Sequence, residues 1–200
     1  MTGIVAPERA GKVVKRLMAP DMSSGWGIRT LSADHPAYNP FSYQNGSVWP
    51  HDNALIAVGM RRYGFDDEAT QLMRDVSDAA SYFTQHQLPE LYAGLAREPS
   101  GFPVQYLGAN TPQAWAAGSC FSFLAMILGF APDAPGGKIY LDPRLPDWMP
   151  SLTLRDMRSP KGLLDIAFRR DGDVTRFEVL KGDPDAVELK SFATKTERWV

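Results

Sequence analysis

Apolar residues recur at helical spacing in four segments of the first two-thirds of the chain. The first and third segments keep a polar face, whereas the second and fourth are apolar nearly all round. Thr111 and Pro112 suit the cap and the first turn of the fourth segment. The pattern therefore predicts two amphipathic helices and two helices buried on all sides. The predicted helices are residues 7–18, 50–61, 66–86 and 111–130.

Two long segments rich in glycine and proline precede the two apolar helices. Residues 20–50 contain five aromatic side chains, and residues 87–111 carry Glu90 near their start. Loops of this length are uncommon inside a compact domain and tend to be functional. Alternating amphipathic and apolar helices are typical of a double-layered α/α barrel, in which such loops crowd together at one end.

The last third of the chain changes character. Short runs with partial alternation of polar and apolar residues follow one another, separated by turn residues, and Asp171-Gly172 favours a hairpin. We expect residues 1–132 to form a helical domain and residues 133–200 a small β-rich appendage. The predicted strands are residues 138–141, 152–157, 163–169 and 174–180.

Composition and charge limit the classes of binding partner that we expect for this chain. The chain is 44% hydrophobic and has a formal net charge of -2, so it lacks the basic excess typical of nucleic-acid-binding proteins. The charge-free stretch 100–131 is interrupted by Pro103, Pro112 and glycines, and the N-terminus lacks the features of a signal peptide. We therefore expect no nucleic acid, no membrane and a cytoplasmic location. Cys120, the single cysteine, is expected to be a buried free thiol.

Three sequence motifs occur in order. The motifs are Ser24-Gly25-Trp26-Gly27-Ile28-Arg29-Thr30-Leu31-Ser32; Tyr38-Asn39-Pro40 with Ser42-Tyr43-Gln44-Asn45-Gly46-Ser47-Val48-Trp49-Pro50-His51-Asp52-Asn53; and Leu88-Pro89-Glu90-Leu91-Tyr92 with Pro112-Gln113-Ala114-Trp115-Ala116-Ala117-Gly118. Their order and spacing resemble bacterial amylo-α-1,6-glucosidases (glycogen-debranching type) and the related mannosylglycerate-hydrolase-like glycosidases, over about residues 2–130.

The resemblance implies a fold, and it implies that the general acid lies outside this chain. Family members form a barrel of twelve helices, so the fold expected here is mainly α: a partial (α/α)6 six-hairpin toroid of about four helices, followed by a small antiparallel β unit. The family's general acid, an Asp, lies upstream of the matched region, and no segment of this chain matches that motif. We therefore expect the chain to be the C-terminal portion of a glycosidase catalytic domain.

Glu90 is the candidate general base. Glycosidic bonds are usually cleaved by two carboxyl groups, one acting as acid and the other as base or nucleophile. Glu90 lies between Pro89 and Leu91 in a charge-poor loop, and apolar surroundings make a carboxylate a better base. It also matches the base of the family's Leu-Pro-Glu-Leu motif. Alternatively, it is a surface glutamate paired with Arg97.

Candidate sugar-binding residues follow from the chemistry of sugars, whose C–H faces stack on aromatic rings and whose hydroxyls pair with polar groups. Trp49 and Trp115 are equally compatible with core packing, and Asp52 with the favourable end of a helix dipole. No histidine spacing indicates a metal, and no cofactor is expected. The candidates are Trp26, Arg29, Asn45, Trp49, His51, Asp52, Gln113 and Trp115.

The main hypothesis is inverting hydrolysis of α-glucosidic bonds in an oligosaccharide or glycogen-like substrate, with Glu90 as base. Debranching, trehalose-like and mannosylglycerate-like substrates stay open. A non-catalytic carbohydrate-binding remnant and a helical interaction module are the alternatives. A partial barrel would leave apolar helix faces uncovered, so we also expect self-association or a missing N-terminal half.

Overall fold

The computed structural model describes residues 4–191, so residues 192–200 of the predicted appendage lie outside the described part. The chain divides into two compact units, Met1–Phe123 and Leu124–Val200, which are described separately. The described elements are α1 (Pro7–Leu17), α2 (Pro50–Arg62), α3 (Asp66–Ala80), α4 (Ala114–Leu128), β1 (Ala131–Asp133), β2 (Lys138–Leu141), β3 (Ser151–Ser159), β4 (Gly162–Asp171), β5 (Val174–Lys181) and β6 (Val187–Leu189).

All four predicted helices exist; two match the predicted bounds to within one residue, and two differ by more. Helix α3 ends at Ala80 rather than near residue 86. The backbone is already extended at Phe83, and it is left-handed at Gln85 and His86, with φ of 54° and 58°, so the helix cannot continue to residue 86. Helix α4 begins at Ala114 rather than at residue 111. The side-chain oxygen of Gln113 accepts a hydrogen bond from the Ala114 N–H (2.9 Å) at this new start.

Helix α4 does not bury all of its apolar surface. Ala116 and Phe123 are buried, but Trp115 is 45% exposed and Phe121 is 75% exposed. The predictions of all-round burial and of a buried thiol at Cys120 are therefore wrong, since Cys120 is exposed. Apolar composition cannot distinguish a buried helix from one with an uncovered apolar face.

No helix within residues 4–191 combines the length and apolarity needed to cross a bilayer.

The two long loops of the first unit are tied together by backbone pairing. Isolated antiparallel bridges join Arg29 to Val48, Val48 to Tyr92, and Tyr92 to Gln105. The Val48 and Tyr92 N–H groups each donate to the other residue's carbonyl, at 2.9 and 3.0 Å. Val48 and Tyr92 are fully buried, so the loops cross inside the core rather than over the surface.

Asn53 ties α2 to the first loop. Its side chain is fully buried. The Oδ1 atom accepts a hydrogen bond from the Ile28 N–H (2.7 Å), while Nδ2 donates to the carbonyls of Ile28 (3.1 Å) and Trp49 (2.8 Å). Buried backbone groups outside regular ladders need partners of this kind. Asn53 therefore ties the loop to α2 at two points, Ile28 and Trp49.

The second unit contains two three-stranded sheets. In one, β2 pairs antiparallel with β1 and parallel with β6. In the other, β3, β4 and β5 form an antiparallel meander, and the predicted hairpin is present with Asp171 opposite Val174. Leu164, Ile166 and Phe168 alternate along β4 and are buried, which is the period-two pattern of a half-buried strand.

The predicted fold class, a mainly α partial (α/α)6 six-hairpin toroid with a small antiparallel β unit, is wrong. The structure has six strands beside four α-helices within residues 4–191, and one of its two sheets contains a parallel pair. Strands β3, β4 and β5 span nine, ten and eight residues, longer than the sequence runs that predicted them. Strands β1 and β6 were not predicted, because three-residue strands carry no periodic signal.

Gly94 of the second loop packs against Gly46 of the first loop, and its Cα leaves no room for a side chain. A Cβ there would overlap the carbonyl oxygen of Gly46. We expect Gly94→Ala to lower the free energy of unfolding by about 3 kcal/mol or more, because the clash is with backbone. In chemical denaturation, Gly59→Ala in α2, where a Cβ meets nothing within 4 Å, should instead add about 0.5–1 kcal/mol. Equal stabilities of the two variants would contradict the close approach.

Asp75 on α3 makes the stability of the first unit depend on pH. Burial raises the pKa of Asp75 to about 6, although the Gln71 amide donates to it at 2.7 Å and opposes the shift. Its ordinary value is 3.8, so the folded protein binds the proton more tightly than the unfolded chain does. The contribution of Asp75 to stability is therefore greatest below about pH 4 and falls as pH rises to about 6, by about 3 kcal/mol.

Asp75→Asn removes this titration while keeping the acceptor for Gln71. We expect the variant to be more stable than wild type at pH 8, with the difference vanishing toward pH 4, as measured by urea denaturation across that range. Asp67→Asn, an exposed position in the first turn of α3, is the control and should keep the wild-type slope. A stability difference for Asp75→Asn that does not change with pH would refute the assignment.

Candidate active site

Glu90 lies in the segment that the loop crossing holds in place. Its N–H donates to the Asn110 carbonyl at 3.0 Å, and Tyr92, two residues on, pairs with Val48. The neighbouring Leu88 and Leu91 are buried, and Glu90 itself is only 6% exposed. A carboxylate is thus held in a largely apolar environment. Burying a carboxylate in this way is uncommon and costs free energy of folding, so it usually serves a functional or structural role.

The partner of Glu90 is Tyr43, from the first loop. The Tyr43 hydroxyl donates to Glu90 Oε1 at 2.6 Å, a charge-assisted hydrogen bond. This bond is the main cause that raises the pKa of Tyr43 above its usual value. The alternative pairing of Glu90 with Arg97 is not formed. Arg97 instead binds Asp78 (2.9 Å) and lies over the Trp26 ring, 4.2 Å from its centroid.

Tyr43 also belongs to a row of ring contacts, here called the aromatic row: Tyr106, Tyr43, Trp49, Trp115 and His51. Successive ring centroids lie 5.9, 4.9, 6.0 and 5.0 Å apart. The first three contacts are edge-on, whereas His51 stacks on Trp115 at an interplanar angle of 15°. Trp115 is 45% and Tyr43 is 39% exposed, so the row presents ring surface to solvent.

Trp49 is the buried centre of this row. It is 8% exposed, and its Nε1 donates to the Tyr43 carbonyl (3.2 Å) and to Ser47 Oγ (3.0 Å). Its burial matches the core-packing alternative. At the same time it supports the two exposed rings on either side of it, Tyr43 and Trp115.

Two of the candidate sugar-binding residues lie inside the core. Trp26 is 1% exposed. Arg29 is buried, and its guanidinium donates to the carbonyls of Gly94 (2.6 Å), Pro20 (3.0 Å) and Asp21 (3.3 Å). These bonds give Arg29 a role in holding the two loops together.

The other three candidates are polar and lie nearer the surface. Asn45 is exposed, and its carbonyl accepts from the Asn39 N–H at 2.8 Å. Asp52 is exposed, with Oδ1 3.5 Å from His51 Nδ1. The Gln113 side chain accepts from the Ala114 N–H. Of these three, Asp52 is the one linked to the aromatic row by a described contact, through His51.

Tyr43 and Tyr106 were not among the predicted site residues. Tyr43 lies in the second motif, but it is 47 residues from Glu90 in the sequence. No spacing pattern predicts a contact between residues so far apart in the sequence. The signal that was present is the motif itself, which holds Tyr43 and Trp49 in one short loop segment.

Among residues 4–191 no cluster of three or more His, Cys, Asp or Glu side chains has the arrangement of a metal site.

The arrangement combines a buried carboxylate with exposed aromatic surface. No other described side chain donates to Glu90, and no buried side-chain oxygen in the described region lacks a partner, so Oε2 keeps contact with solvent. Such an oxygen can accept a proton from water. Aromatic rings close to a carboxylate are typical of sites that bind sugar rings by stacking and cleave glycosidic bonds.

The comparison with protein families agrees with this chemistry. Residues 1–103 match the family described as the mannosylglycerate hydrolase MGH1-like glycoside hydrolase domain. A solved structure of an uncharacterized conserved protein from Thermus thermophilus is similar at 22% identity and a TM-score of 0.47, over 62% of this chain. This chain spans 28% of that protein's length. No match was found among curated proteins. Because the family match covers half of the chain and includes Glu90, Tyr43 and Trp49, the chain belongs to the MGH1-like glycoside hydrolase domain family.

Proposed function

We propose that this chain carries the base side of a glycoside hydrolase active site, in which Glu90 activates water for inverting hydrolysis. The observation that carries the proposal is the buried Glu90 carboxylate, which accepts one hydrogen bond from Tyr43 beside an exposed row of aromatic rings. In the reaction, a water proton passes to Glu90 while the water oxygen attacks the anomeric carbon. The electron pair of the cleaved bond leaves with the glycosidic oxygen.

The substrate proposed is an α-linked gluco-oligosaccharide, as in amylo-α-1,6-glucosidases. The motif Tyr43-Gln44-Asn45-Gly46-Ser47-Val48-Trp49-Pro50 supports this type by its resemblance. Trp115 and His51 form the stacking surface proposed for a sugar ring, and Asp52 is the nearby acceptor for hydroxyl groups. The general acid is proposed to come from a residue outside this chain, since no segment here resembles the family's acid motif.

A substrate with a leaving group that needs no protonation isolates the role of Glu90. Fluoride departs without a proton, so glycosyl fluorides require the base but not the acid. We expect the 200-residue chain to release fluoride from α-glucosyl fluoride, followed with an ion-selective electrode. Glu90→Gln should lower the rate by about 100-fold or more, the usual contribution of a general base. Glu98→Gln, at an exposed loop glutamate, should keep the wild-type rate.

The same assay separates the competing hypotheses. Faster release from α-mannosyl fluoride would move the substrate from the glucosidase to the mannosylglycerate type. Saturable binding of malto-oligosaccharides without fluoride release would indicate the carbohydrate-binding remnant. Absence of both would favour an interaction module that uses exposed apolar side chains such as Phe121. Near-UV circular dichroism, which reports on the five tryptophans, verifies that each variant keeps its tertiary structure.

A further inference from the structure

Within residues 4–191 the Tyr43 hydroxyl makes one hydrogen bond, and its acceptor is the proposed base. The bond to Glu90 Oε1 measures 2.6 Å. Because the pKa of Tyr43 is raised, its hydroxyl keeps its proton at neutral pH and acts as a donor rather than as a base or a nucleophile. A phenol that stays protonated next to a carboxylate can fix the orientation of that carboxylate without competing for its proton.

Tyr43 is itself held from two sides. Its carbonyl accepts hydrogen bonds from Ser47 Oγ (2.8 Å) and from Trp49 Nε1 (3.2 Å). Its ring meets those of Trp49 and Tyr106 edge-on, with centroids 4.9 and 5.9 Å away. These contacts fix the backbone and the ring plane, so the hydroxyl has a defined position. A fixed donor can impose its geometry on a partner, whereas a mobile one cannot.

Tyr43 engages only one of the two carboxylate oxygens. Glu90 Oε1 accepts the phenolic proton, while no described group donates to Oε2, which keeps contact with solvent. The two oxygens are thus distinguished by their surroundings. Oε2 is the atom left to take the proton from water, and a base must sit within hydrogen-bond reach of the proton that it abstracts.

We propose that Tyr43 is a positioning residue for Glu90: its hydroxyl holds Oε1 and thereby aims Oε2 at the attacking water. This inference rests on the proposed function, because it assigns a role within the same site. It adds a residue from the other long loop, so that the first loop takes part in turnover by orienting the base as well as by presenting rings to the sugar.

The first test follows fluoride release from α-glucosyl fluoride. Tyr43→Phe removes only the hydroxyl and keeps the ring contacts. We expect kcat to fall by about 10- to 100-fold with little change in KM, since misplacing a reacting group by about 1 Å costs a factor of this size. Tyr82→Phe, at an exposed tyrosine outside the aromatic row, is the matched control and should keep the wild-type kcat. Equal kcat for both variants overturns the inference, even if Glu90→Gln is inactive.

The second test needs no turnover. Subtracting the alkaline ultraviolet titration of Tyr43→Phe from that of the wild type isolates the ionisation of Tyr43. The same subtraction in a Glu90→Gln background should show Tyr43 ionising at lower pH, because the negative charge that opposes tyrosinate is gone. An unchanged Tyr43 curve overturns the inference whatever the kinetics show. A shifted curve together with an inactive wild type refutes the proposed hydrolysis and leaves the Tyr43–Glu90 coupling established.

Discussion

The backbone pairing of Val48 with Tyr92 is the constraint on which the candidate site depends. It joins the loop that carries Tyr43 to the loop that carries Glu90, inside the core and through two hydrogen bonds. Neither loop has a helix or a long strand of its own to fix it at this point. Arg29 reinforces the crossing through the Gly94 carbonyl, and Asn53 anchors the first loop to α2. The geometry of the carboxylate is therefore set by loop-to-loop pairing, which explains why core residues and site residues are interleaved in the same motifs.

Burial explains how the polar candidates divide between structural and chemical roles. Arg29 is buried, and its guanidinium donates hydrogen bonds to three backbone carbonyls. Its role is therefore to hold the backbone rather than to bind substrate. Glu90 is equally buried, but among the described side chains it has a single donor, Tyr43, and it keeps one oxygen in contact with solvent. A buried ionisable group with incomplete pairing costs stability, and active sites are where proteins tolerate that cost. Asp75 is likewise a buried carboxylate with one described side-chain donor, Gln71. Glu90 differs from it in that its donor, Tyr43, belongs to the aromatic row.

Sequence periodicity predicted what depends on local pattern. The starts of α1 and α2, the β2 segment and the hairpin between β4 and β5 all follow from neighbouring residues. The errors lie where the answer depends on distant contacts. The exposure of Cys120 and Phe121 on α4, and the parallel pairing of β2 with β6, are decided by the three-dimensional arrangement. The same holds for the Tyr43–Glu90 bond, although both residues lie in motifs that the sequence made visible.

The stereochemistry of the first product shows whether Glu90 acts as a base on water. The wild-type chain would be mixed with α-glucosyl fluoride and the anomeric protons followed by NMR before mutarotation equilibrates the product. We expect β-glucose as the first product, because water activated by Glu90 attacks opposite the departing fluoride and inverts the anomeric carbon. α-Glucose as the first product would contradict it, since retention requires a covalent intermediate and a nucleophile in place of a base.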